Sequence, residues 1–441
     1  MSPWIGILIA IGAFFGLIAG CRIWAQPLGL SSELSRKIIH IGMGLICTCF
    51  PLFFSALWPV LLLAAIALLI LVMIRLLPAL KNSIGATLHG INRPSLGEIY
   101  FPVAVTTVWI VSSNRPLFYS LSILVLALAD SFAALVGTRY GQRRYTTKEG
   151  YKTWEGSFFF FLVTFLCLHI PLLLLTETGR AESLLLALLI GVLVTIIEAV
   201  SWRGLDNLFI PISVCIFLNA YQQAGVQQLG FRLGLVLLAL VLLFAARSRT
   251  KFDDASLLGA SLVTYLVVTI GGWQWGLAPV IVFANYLVLD LSKKKVNERV
   301  YTINALLAVT MPGFFWLMLH HRYHDEVYFF AYSLGYMAEL IGVYLTHWAV
   351  LAPEKPLFTL WVKSACFGYC MIMVPFLLCT ADEVSLAILG LSLLIALFSA
   401  QLLSSLLPVL RTCPVVTDRF LIQGIIGFVS PVFGGTHSKR K

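Results

Sequence analysis

Long apolar runs recur along this chain from its first residues to near its end. Most of them are about 17–25 residues long, the length that an α-helix needs to cross a bilayer. Of the 441 residues, 60% are hydrophobic and 11% are charged, and the mean hydropathy of +0.94 excludes an ordinary soluble protein. The sequence therefore predicts an all-α, polytopic membrane protein with about 15 transmembrane helices. The predicted spans are 4–22, 38–54, 56–77, 100–113, 117–137, 157–176, 183–202, 208–220, 231–246, 255–272, 274–291, 302–319, 328–349, 358–379 and 384–408, and a short apolar stretch follows at 420–433.

Basic residues alternate between the two sides of these spans. If the loop from Arg139 to Lys152 is cytoplasmic, alternation places most other basic loops on the same side, as the positive-inside rule requires. Topology then explains the net charge of +10, and we expect no nucleic-acid partner. Because the first run lacks a basic leader and a cleavage site, it predicts a membrane helix rather than a signal peptide. The other loops predicted to be cytoplasmic are 22–37, 75–99, 203–207, 247–254, 292–301, 350–357 and 409–419.

The loop between the fifth and sixth predicted spans is strongly basic and ends where a new helix begins. Cations, glycines and the N-terminus of a helix together favour binding of phosphate. Thr153 is a candidate N-cap for this helix, whose first amides would point towards a bound anion. The chain has no Walker or GxGxxG motif, so a nucleotide site here differs from the common soluble ones. The basic residues of this loop are Arg139, Arg143, Arg144, Lys148 and Lys152. The candidate phosphate-binding residues are Arg139, Arg143, Lys152, Thr153, Gly156 and Ser157.

Asp130 and Glu198 are the clearest of the carboxylates within predicted spans, where an ionised group costs about 2.5–3.5 kcal/mol at mid-bilayer. Asp130 and Glu198 are both close to the predicted cytoplasmic ends of their spans, and Asp206 follows Glu198 by eight residues. One interpretation is that each carboxylate pairs with a basic residue of a neighbouring loop. The alternative is a shared Mg²⁺ site, because this ion prefers carboxylate oxygens together with substrate phosphates. Since a helix end separates Glu198 from Asp206, helix geometry leaves both interpretations open.

Further polar clusters lie on the predicted cytoplasmic side. Lys37 and His40 are three residues apart and therefore share a helix face, with Arg36 beside them. Arg93 and Glu98 flank a Pro-Ser-Leu-Gly turn before the fourth span, and the two residues can pair with each other. Each of these clusters is compatible with a substrate-binding role or with a simple interfacial anchor.

Several of these segments together resemble the membrane polyprenol kinases, which include dolichol kinase and phytol kinase and are related to the phosphatidate cytidylyltransferases. The resemblance covers roughly the first half of the chain and rests on ordered segments at sensible intervals. The segments are Arg36-Lys37-x-x-His40, Arg93-Pro94-Ser95-Leu96-Gly97-Glu98, Leu128-Ala129-Asp130-Ser131, Tyr140-Gly141, Lys152-Thr153-Trp154-Glu155-Gly156-Ser157, and Glu198-Ala199 followed by Gly204-Leu205-Asp206-Asn207.

The resemblance implies transfer of the γ-phosphate of a nucleoside triphosphate, often CTP, to a long-chain isoprenoid alcohol at the cytoplasmic membrane face. It implies Mg²⁺ as the metal and membrane lipid as the surroundings of the alcohol. Carried over to this chain, the catalytic residues are Asp130, Lys152, Glu155, Glu198 and Asp206, of which Asp130, Glu198 and Asp206 are the metal ligands. The residues that the resemblance implies for nucleotide binding are Arg139, Arg143, Lys152, Thr153, Gly156, Ser157 and Asn207. The residues that it implies for binding the alcohol are Arg36, Lys37, His40, Arg93 and Glu98.

The chain divides at the sequence level into a kinase-like membrane domain, residues 1–246, and a second membrane domain, residues 247–441. The second domain more weakly resembles an integral membrane family that includes the plant phytyl-phosphate kinase. An Asp-Thr-Trp motif of that family is missing, and Glu339 in Ser333–Glu339 is the nearest acidic residue. We therefore expect a degenerate, inactive second domain. The sequence leaves open whether the whole protein is a monomer or a homo-oligomer.

Two other functions compete with the kinase. A phosphatidate or prenyl-phosphate cytidylyltransferase would use the same nucleotide, but its acidic C-terminal signature is absent, since Asp418-Arg419 and Gly434-Gly435 stand in the wrong order. A lipid transporter or flippase would suit the large number of spans. A transporter would also need ionisable groups near mid-membrane, whereas here the candidates cluster at one face.

Overall fold

The computed structural model describes residues 2–25, 27–76, 96–112, 114–290, 301–352, 354–380, 386–406, 424–426 and 428–429. These residues form sixteen α-helices, one short 3₁₀-helix and a two-stranded sheet. The chain divides into two compact units, Met1–Gly234 and Leu235–Lys441. The boundary lies twelve residues before the one expected from the sequence, within a helix.

The described part of the first unit contains the two-stranded sheet and the helices that precede and follow it. Its helices are α1 (Pro3–Ala25), α2 (Ser32–Thr48), α3 (Phe50–Phe53), α4 (Leu57–Leu76), α5 (Gly97–Val111), α6 (Pro116–Tyr140), α7 (Trp154–Leu175), α8 (Arg180–Val200), α9 (Asp206–Tyr221) and the start of α10 (Val226–Ala245). Strands β1 (Arg144–Thr147) and β2 (Gly150–Thr153) lie between α6 and α7.

The second unit contains a 3₁₀-turn, Arg247–Arg249, and then α11 (Asp254–Gly271), α12 (Trp273–Asp290), α13 (Ile303–Tyr323), α14 (Val327–Leu351), α15 (Leu357–Cys379) and α16 (Leu386–Ser405). Its buried core is built around α14, where the Tyr332 hydroxyl donates a hydrogen bond of 2.7 Å to the carbonyl of Trp275. Glu339 of α14 is 2% exposed, and neither of its carboxylate oxygens has a hydrogen-bond partner among the described residues.

The helices confirm the predicted all-α membrane architecture. Every one of the fifteen predicted spans coincides with a helix, and α3 continues the second span after a break at Cys49. In the described part of the chain, ten helices are long and apolar enough to cross a bilayer, and four shorter apolar helices accompany them. The chain is therefore an integral membrane protein. Most of the predicted stretch at 420–433 lies outside the described residues.

Helix α6 lies at the centre of the first unit and positions the site. It packs against α2 on one side and against α7 and α9 on others. Its middle is fully buried, as Ile123, Val125 and Leu126 show. Pro116 stands in its first turn, where the missing N–H of proline removes no helical hydrogen bond. Residues towards the C-terminal end of α6 are therefore held firmly against α2 and α7.

The β1–β2 hairpin is an element that the all-α expectation overlooked. Thr147 pairs with Gly150 across a loop of two residues, and Gly150 has a φ of +121° that favours glycine. Each strand carries a Tyr followed two residues later by a Thr, and aromatic and β-branched residues of this kind are typical of strands. The hairpin places the second half of the basic loop in extended, paired backbone directly before α7.

Glycines allow α6 to approach the start of α7 very closely. A Cβ atom on Gly156 would lie 3.0 Å from the carbonyl oxygen of Ala133 and 3.3 Å from the Cα of Gly137. A Cβ atom on Gly141 would collide with the carbonyl oxygen of Gly137 and with the side chain of Thr153. The backbones of α6 and α7 therefore leave no room for side chains at this crossing.

We expect the substitution Gly141→Ala to destabilise the protein by about 1–3 kcal/mol, because the new methyl group meets fixed backbone rather than a flexible side chain. Thermal unfolding of the purified protein in detergent measures this. The control is Gly225→Ala, another loop glycine, where a Cβ atom would meet nothing within 4 Å. Equal unfolding temperatures for the two variants would contradict the tight α6–α7 crossing.

Candidate functional site

The first unit contains a cavity of about 1550 Å³. Apolar side chains of α1, α2, α4 and α5 line most of its length, and polar side chains of α2, α6, the hairpin, α8 and α9 line one end. The cavity brings together most of the site residues expected from the sequence. Those that line it are Arg36, Lys37, His40, Glu98, Asp130, Lys152, Thr153, Gly156, Ser157, Glu198, Asp206 and Asn207.

One buried ion pair joins α2 to α6 at the polar end. The Lys37 ammonium lies 2.6 Å from Asp130 Oδ2, and Lys37 is only 3% exposed. The ring atom Nε2 of His40, one turn further along α2, lies 3.6 Å from the same carboxylate oxygen. His40 Nε2 is buried and makes no hydrogen bond within the described residues. Asp130 is thus held between a cation and an imidazole, and both of these side chains also face the cavity.

A second ion pair joins the hairpin to α8. The Lys152 ammonium lies 2.6 Å from Glu198 Oε1 and also donates to the carbonyl oxygen of Glu198. Burial is the largest single influence on the pKa of Lys152 and lowers it, but the nearby Glu198, Tyr145 and Asp206 together outweigh burial and raise this pKa above its ordinary value. Strand pairing fixes the direction of Lys152, because Tyr145 stands opposite it in the register.

Asp206 begins α9 after an unusual turn. Arg203 and Gly204 both have positive φ, at 54° and 82°. The Arg203 N–H donates to Glu149 Oε1 at 2.6 Å, and the Leu96 N–H donates to the Arg203 carbonyl at 3.1 Å. The turn therefore ties the hairpin and the start of α5 to the start of α9, where Asp206 enters the cavity.

Three carboxylates line the charged part of the cavity. Asp206 is close enough to Asp130 and Glu198 for their charges to repel one another. Glu198 Oε2 is buried and has no hydrogen-bond partner in the described part of the chain, so one acceptor is left for a further ligand. Among the described residues, no group of three or more His, Cys, Asp or Glu side chains is arranged to hold a metal ion. The Mg²⁺ site expected from the sequence at Asp130, Glu198 and Asp206 therefore stays a prediction.

The start of α7 has the geometry of an anion-binding helix terminus. Thr153 caps the helix, since its hydroxyl accepts a hydrogen bond of 3.2 Å from the Gly156 N–H, which confirms the N-cap predicted from the sequence. The Ser157 hydroxyl lies 2.8 Å from the Tyr145 hydroxyl. The first turn of α7 thus faces the cavity beside Lys152, with the positive end of the helix dipole directed at it.

Some predicted site residues lie elsewhere. Glu155 is outside the described lining of the cavity, and its carboxylate accepts the Arg143 N–H at 3.1 Å. Arg139 and Arg143 are exposed and are likewise not part of that lining. Arg36 lines the cavity but is engaged by Glu33, with 2.8 Å between Nη2 and Oε1. Arg93 lies outside the described residues.

The cavity also includes polar residues that the sequence reasoning missed. Glu149 and Tyr151 of the hairpin, Thr138 of α6, and Arg22 and Glu33 near the α1–α2 connection all line it. For Glu149 and Tyr151, the sequence signal was the Tyr-x-Thr pattern on either side of Lys148-Glu149, which predicts a hairpin. For Arg22 and Glu33, the signal was their position between two adjacent spans.

A comparison with known proteins agrees with the resemblance to the phytol kinases. A phytol kinase from Synechocystis sp. is 29% identical to this chain over 212 residues, which are 47% of this chain and 88% of the relative. No family model matches the chain, and no solved structure matches it significantly. The match supports a protein similar to the polyprenol and phytol kinases. Its length is close to that of the first unit, Met1–Gly234.

The arrangement has the parts that phosphoryl transfer requires. Lys152 and the first turn of α7 supply positive charge for phosphates, and Asp130, Glu198 and Asp206 supply oxygen ligands and proton acceptors. The adjoining apolar walls offer room for an aliphatic group.

Proposed function

We propose that the protein is a lipid kinase that transfers the terminal phosphoryl group of a nucleoside triphosphate to a long-chain isoprenoid alcohol. The observation that carries this proposal is the cavity of about 1550 Å³ in the first unit, whose lining combines apolar side chains with two ion pairs and the carboxylate of Asp206. A cavity of this kind accommodates an aliphatic alcohol and presents its hydroxyl to charged groups. The similarity to a phytol kinase supports the same conclusion.

The finer features of the reaction rest on the sequence. The resemblance to the polyprenol kinases favours CTP as the donor, and the positive-inside pattern favours a cytoplasmic active face, where nucleotides are available. Mg²⁺ bound by Asp130, Glu198 or Asp206 would neutralise charge on the donor phosphates. The partners are therefore membrane lipid, the alcohol and the nucleotide.

The proposed roles follow from the positions of the side chains. The alcohol oxygen attacks the γ-phosphorus, the bond from that phosphorus to the β–γ bridging oxygen breaks, and the nucleoside diphosphate leaves. One of the carboxylates takes the proton of the hydroxyl. Lys152 and the N-terminal amides of α7 stabilise the charge of the phosphates, with Asn207 and Ser157 beside them. Lys37 and His40 fix the orientation of Asp130.

The test uses purified full-length protein in detergent with CTP or ATP labelled at the γ-phosphate. We expect label in a lipid phosphate when phytol, geranylgeraniol or a polyprenol is offered, with CTP as the better donor. We expect the rate of transfer by the variant Lys152→Met to be at least about 100-fold lower, because the substitution removes a positive charge that stabilises the phosphates.

The matched control is Lys148→Met on the same hairpin, whose ammonium lies over the Trp202 ring at 4.1 Å and outside the described lining of the cavity. We expect its transfer rate to stay within about twofold. Pyrophosphate release with phosphatidate and no labelled alcohol would identify a cytidylyltransferase instead. If the folded protein catalyses neither reaction, that result would favour a transporter.

A further inference from the structure

Glu339 lies at the middle of α14, which covers the predicted span 328–349. Twelve residues of α14 precede it and twelve follow it, so about 18 Å of helix separates it from either end. The side chain is 2% exposed, and both carboxylate oxygens are buried without a hydrogen-bond partner among the described residues. An ionised carboxylate without a counter-charge is very costly at this depth, so a proton or another cation must neutralise it.

In the described part of the chain, the helices packed against α14 offer no counter-charge at the depth of Glu339. These helices are α12, α13, α15 and α16. Their charged residues and histidines, and the one histidine of α14 itself, all lie within two turns of a helix end. They are Asp290 in α12, His320, His321 and Arg322 in α13, Lys363 in α15 and His347 in α14. The other titratable groups of these helices are tyrosines and cysteines, which are ordinarily neutral at physiological pH.

Two buried tyrosines continue from Glu339 along the same face of α14. Tyr336 and Tyr332 precede it by three and seven residues, which is the spacing of one helix face. Both are 2% exposed or less, and their ring centroids lie 4.9 Å apart. The Tyr336 hydroxyl is close to the Tyr332 hydroxyl and close enough to Glu339 to interact with its charge. The three side chains therefore form a polar column through an otherwise apolar core.

The column continues to the end of α13. The Tyr332 hydroxyl donates a hydrogen bond of 2.7 Å to the carbonyl of Trp275, and the Trp275 ring contacts that of His320 with centroids 4.9 Å apart. His320 is partly exposed and stands three residues before the end of α13. Its Nδ1 donates to the carbonyl of Asp325 at 3.1 Å, which leaves Nε2 to accept a proton. The column therefore joins a carboxyl group at mid-membrane depth to an imidazole at a helix end.

We propose that Glu339 is a proton-binding site at the centre of the membrane, and that Tyr336 and Tyr332 connect it with water at the His320 end of the second unit. The carboxylate takes up a proton from water through this column and becomes a neutral acid, and it returns the proton to water when it ionises again. Buried carboxylates of this kind form the proton relays of pumps and transporters. This role of the second unit is independent of the kinase function proposed for the first.

Infrared difference spectra of the full-length protein in lipid bilayers at neutral pH, wild type minus Glu339→Gln, test the site. We expect the carbonyl stretch of a protonated carboxylic acid, and a shift of this band in D₂O as the proton exchanges. Tyr336→Phe should keep the band and slow the exchange by about tenfold or more, because the hydroxyl next to Glu339 is removed. The control is Tyr344→Phe in the same helix, where the buried hydroxyl donates to the Asn285 side chain and exchange should stay within about twofold.

Glu326→Gln is the control for the band itself, because Glu326 is exposed and directly precedes α14. Its difference spectrum should show only an ionised carboxylate. Glu339→Asp keeps the acid and should move the band rather than remove it, which guards against a misfolded Glu339→Gln protein. An ionised carboxylate at Glu339 would overturn the proton site, and a protonated band that does not shift in D₂O would overturn its connection with water. Loss of the band when Na⁺ replaces choline in the buffer would overturn the proton site in favour of a metal-cation site.

Discussion

Replacing Asp130 with Asn is expected to lower the free energy of unfolding by about 3–5 kcal/mol. The substitution removes the counter-charge of Lys37, whose ammonium lies 2.6 Å from the carboxylate and is almost fully buried. A buried cation without a partner keeps the cost of its desolvation and loses the attraction that offsets it. Reversible unfolding in mixed micelles measures the change.

A double variant separates the stability of this pair from its chemistry. In Lys37→Met with Asp130→Asn, both charges are gone, and we expect most of the lost stability to return. We expect this double variant to have no phosphoryl-transfer activity, because it still lacks the Asp130 carboxylate that is proposed to face the hydroxyl and the metal. A loss below about 1 kcal/mol in Asp130→Asn would contradict a buried pair and indicate one that is open to solvent.

Replacing Glu198 with Gln is expected to lower the rate of transfer by about 100- to 1000-fold. The amide oxygen of Gln can still accept the hydrogen bond from Lys152. The Lys152 side chain is 27% exposed, against 4% for Lys37, so losing its counter-charge costs less stability than in Asp130→Asn. The negative charge is lost, and with it the oxygen Oε2 that is buried without a partner among the described residues. We also expect a higher Mg²⁺ concentration to be needed for half-maximal activity.

The control for this variant is Glu182→Gln, the same substitution in the first turn of the same helix, α8. Glu182 is sixteen residues from Glu198 and outside the described lining of the cavity, so activity and Mg²⁺ dependence should stay within about twofold. If Glu198→Gln behaves like this control, Glu198 serves only to hold Lys152, and the metal site must be assigned to Asp130 and Asp206.

Hydropathy was sufficient to predict the helices but not the hairpin. Each transmembrane helix must satisfy its own backbone hydrogen bonds in lipid, so a long apolar run admits little other than a helix. The segment 144–153 is polar and short, and its strand pairing depends on a turn at Lys148-Glu149 that averaging over a long window conceals. The Tyr-x-Thr pattern that recurs on either side of Lys148-Glu149-Gly150 is the sequence signal for this hairpin.

The composition of the site was also more predictable than its pairing. Asp130, Lys152, Glu198 and Asp206 were identified one by one as charged residues that need a reason in or near a membrane, and the structure brings them to one cavity. The partner of Asp130 is Lys37, 93 residues away, and that choice depends on the packing of α2 against α6. The sequence around either residue does not predict which helices pack against each other. Glu155 was selected by its motif, and the structure gives it a backbone contact with Arg143.

The separation of Lys37 from Asp130 has a consequence for biosynthesis. Membrane helices are inserted in the order in which they are made, so α2 enters the bilayer before the ribosome has synthesised α6. During that interval Lys37 has no Asp130 to neutralise it and must remain at the interface, as lysines near helix ends do. The final depth of α2 is therefore reached only once α6 arrives, and the apolar and charged parts of the cavity form together at that moment.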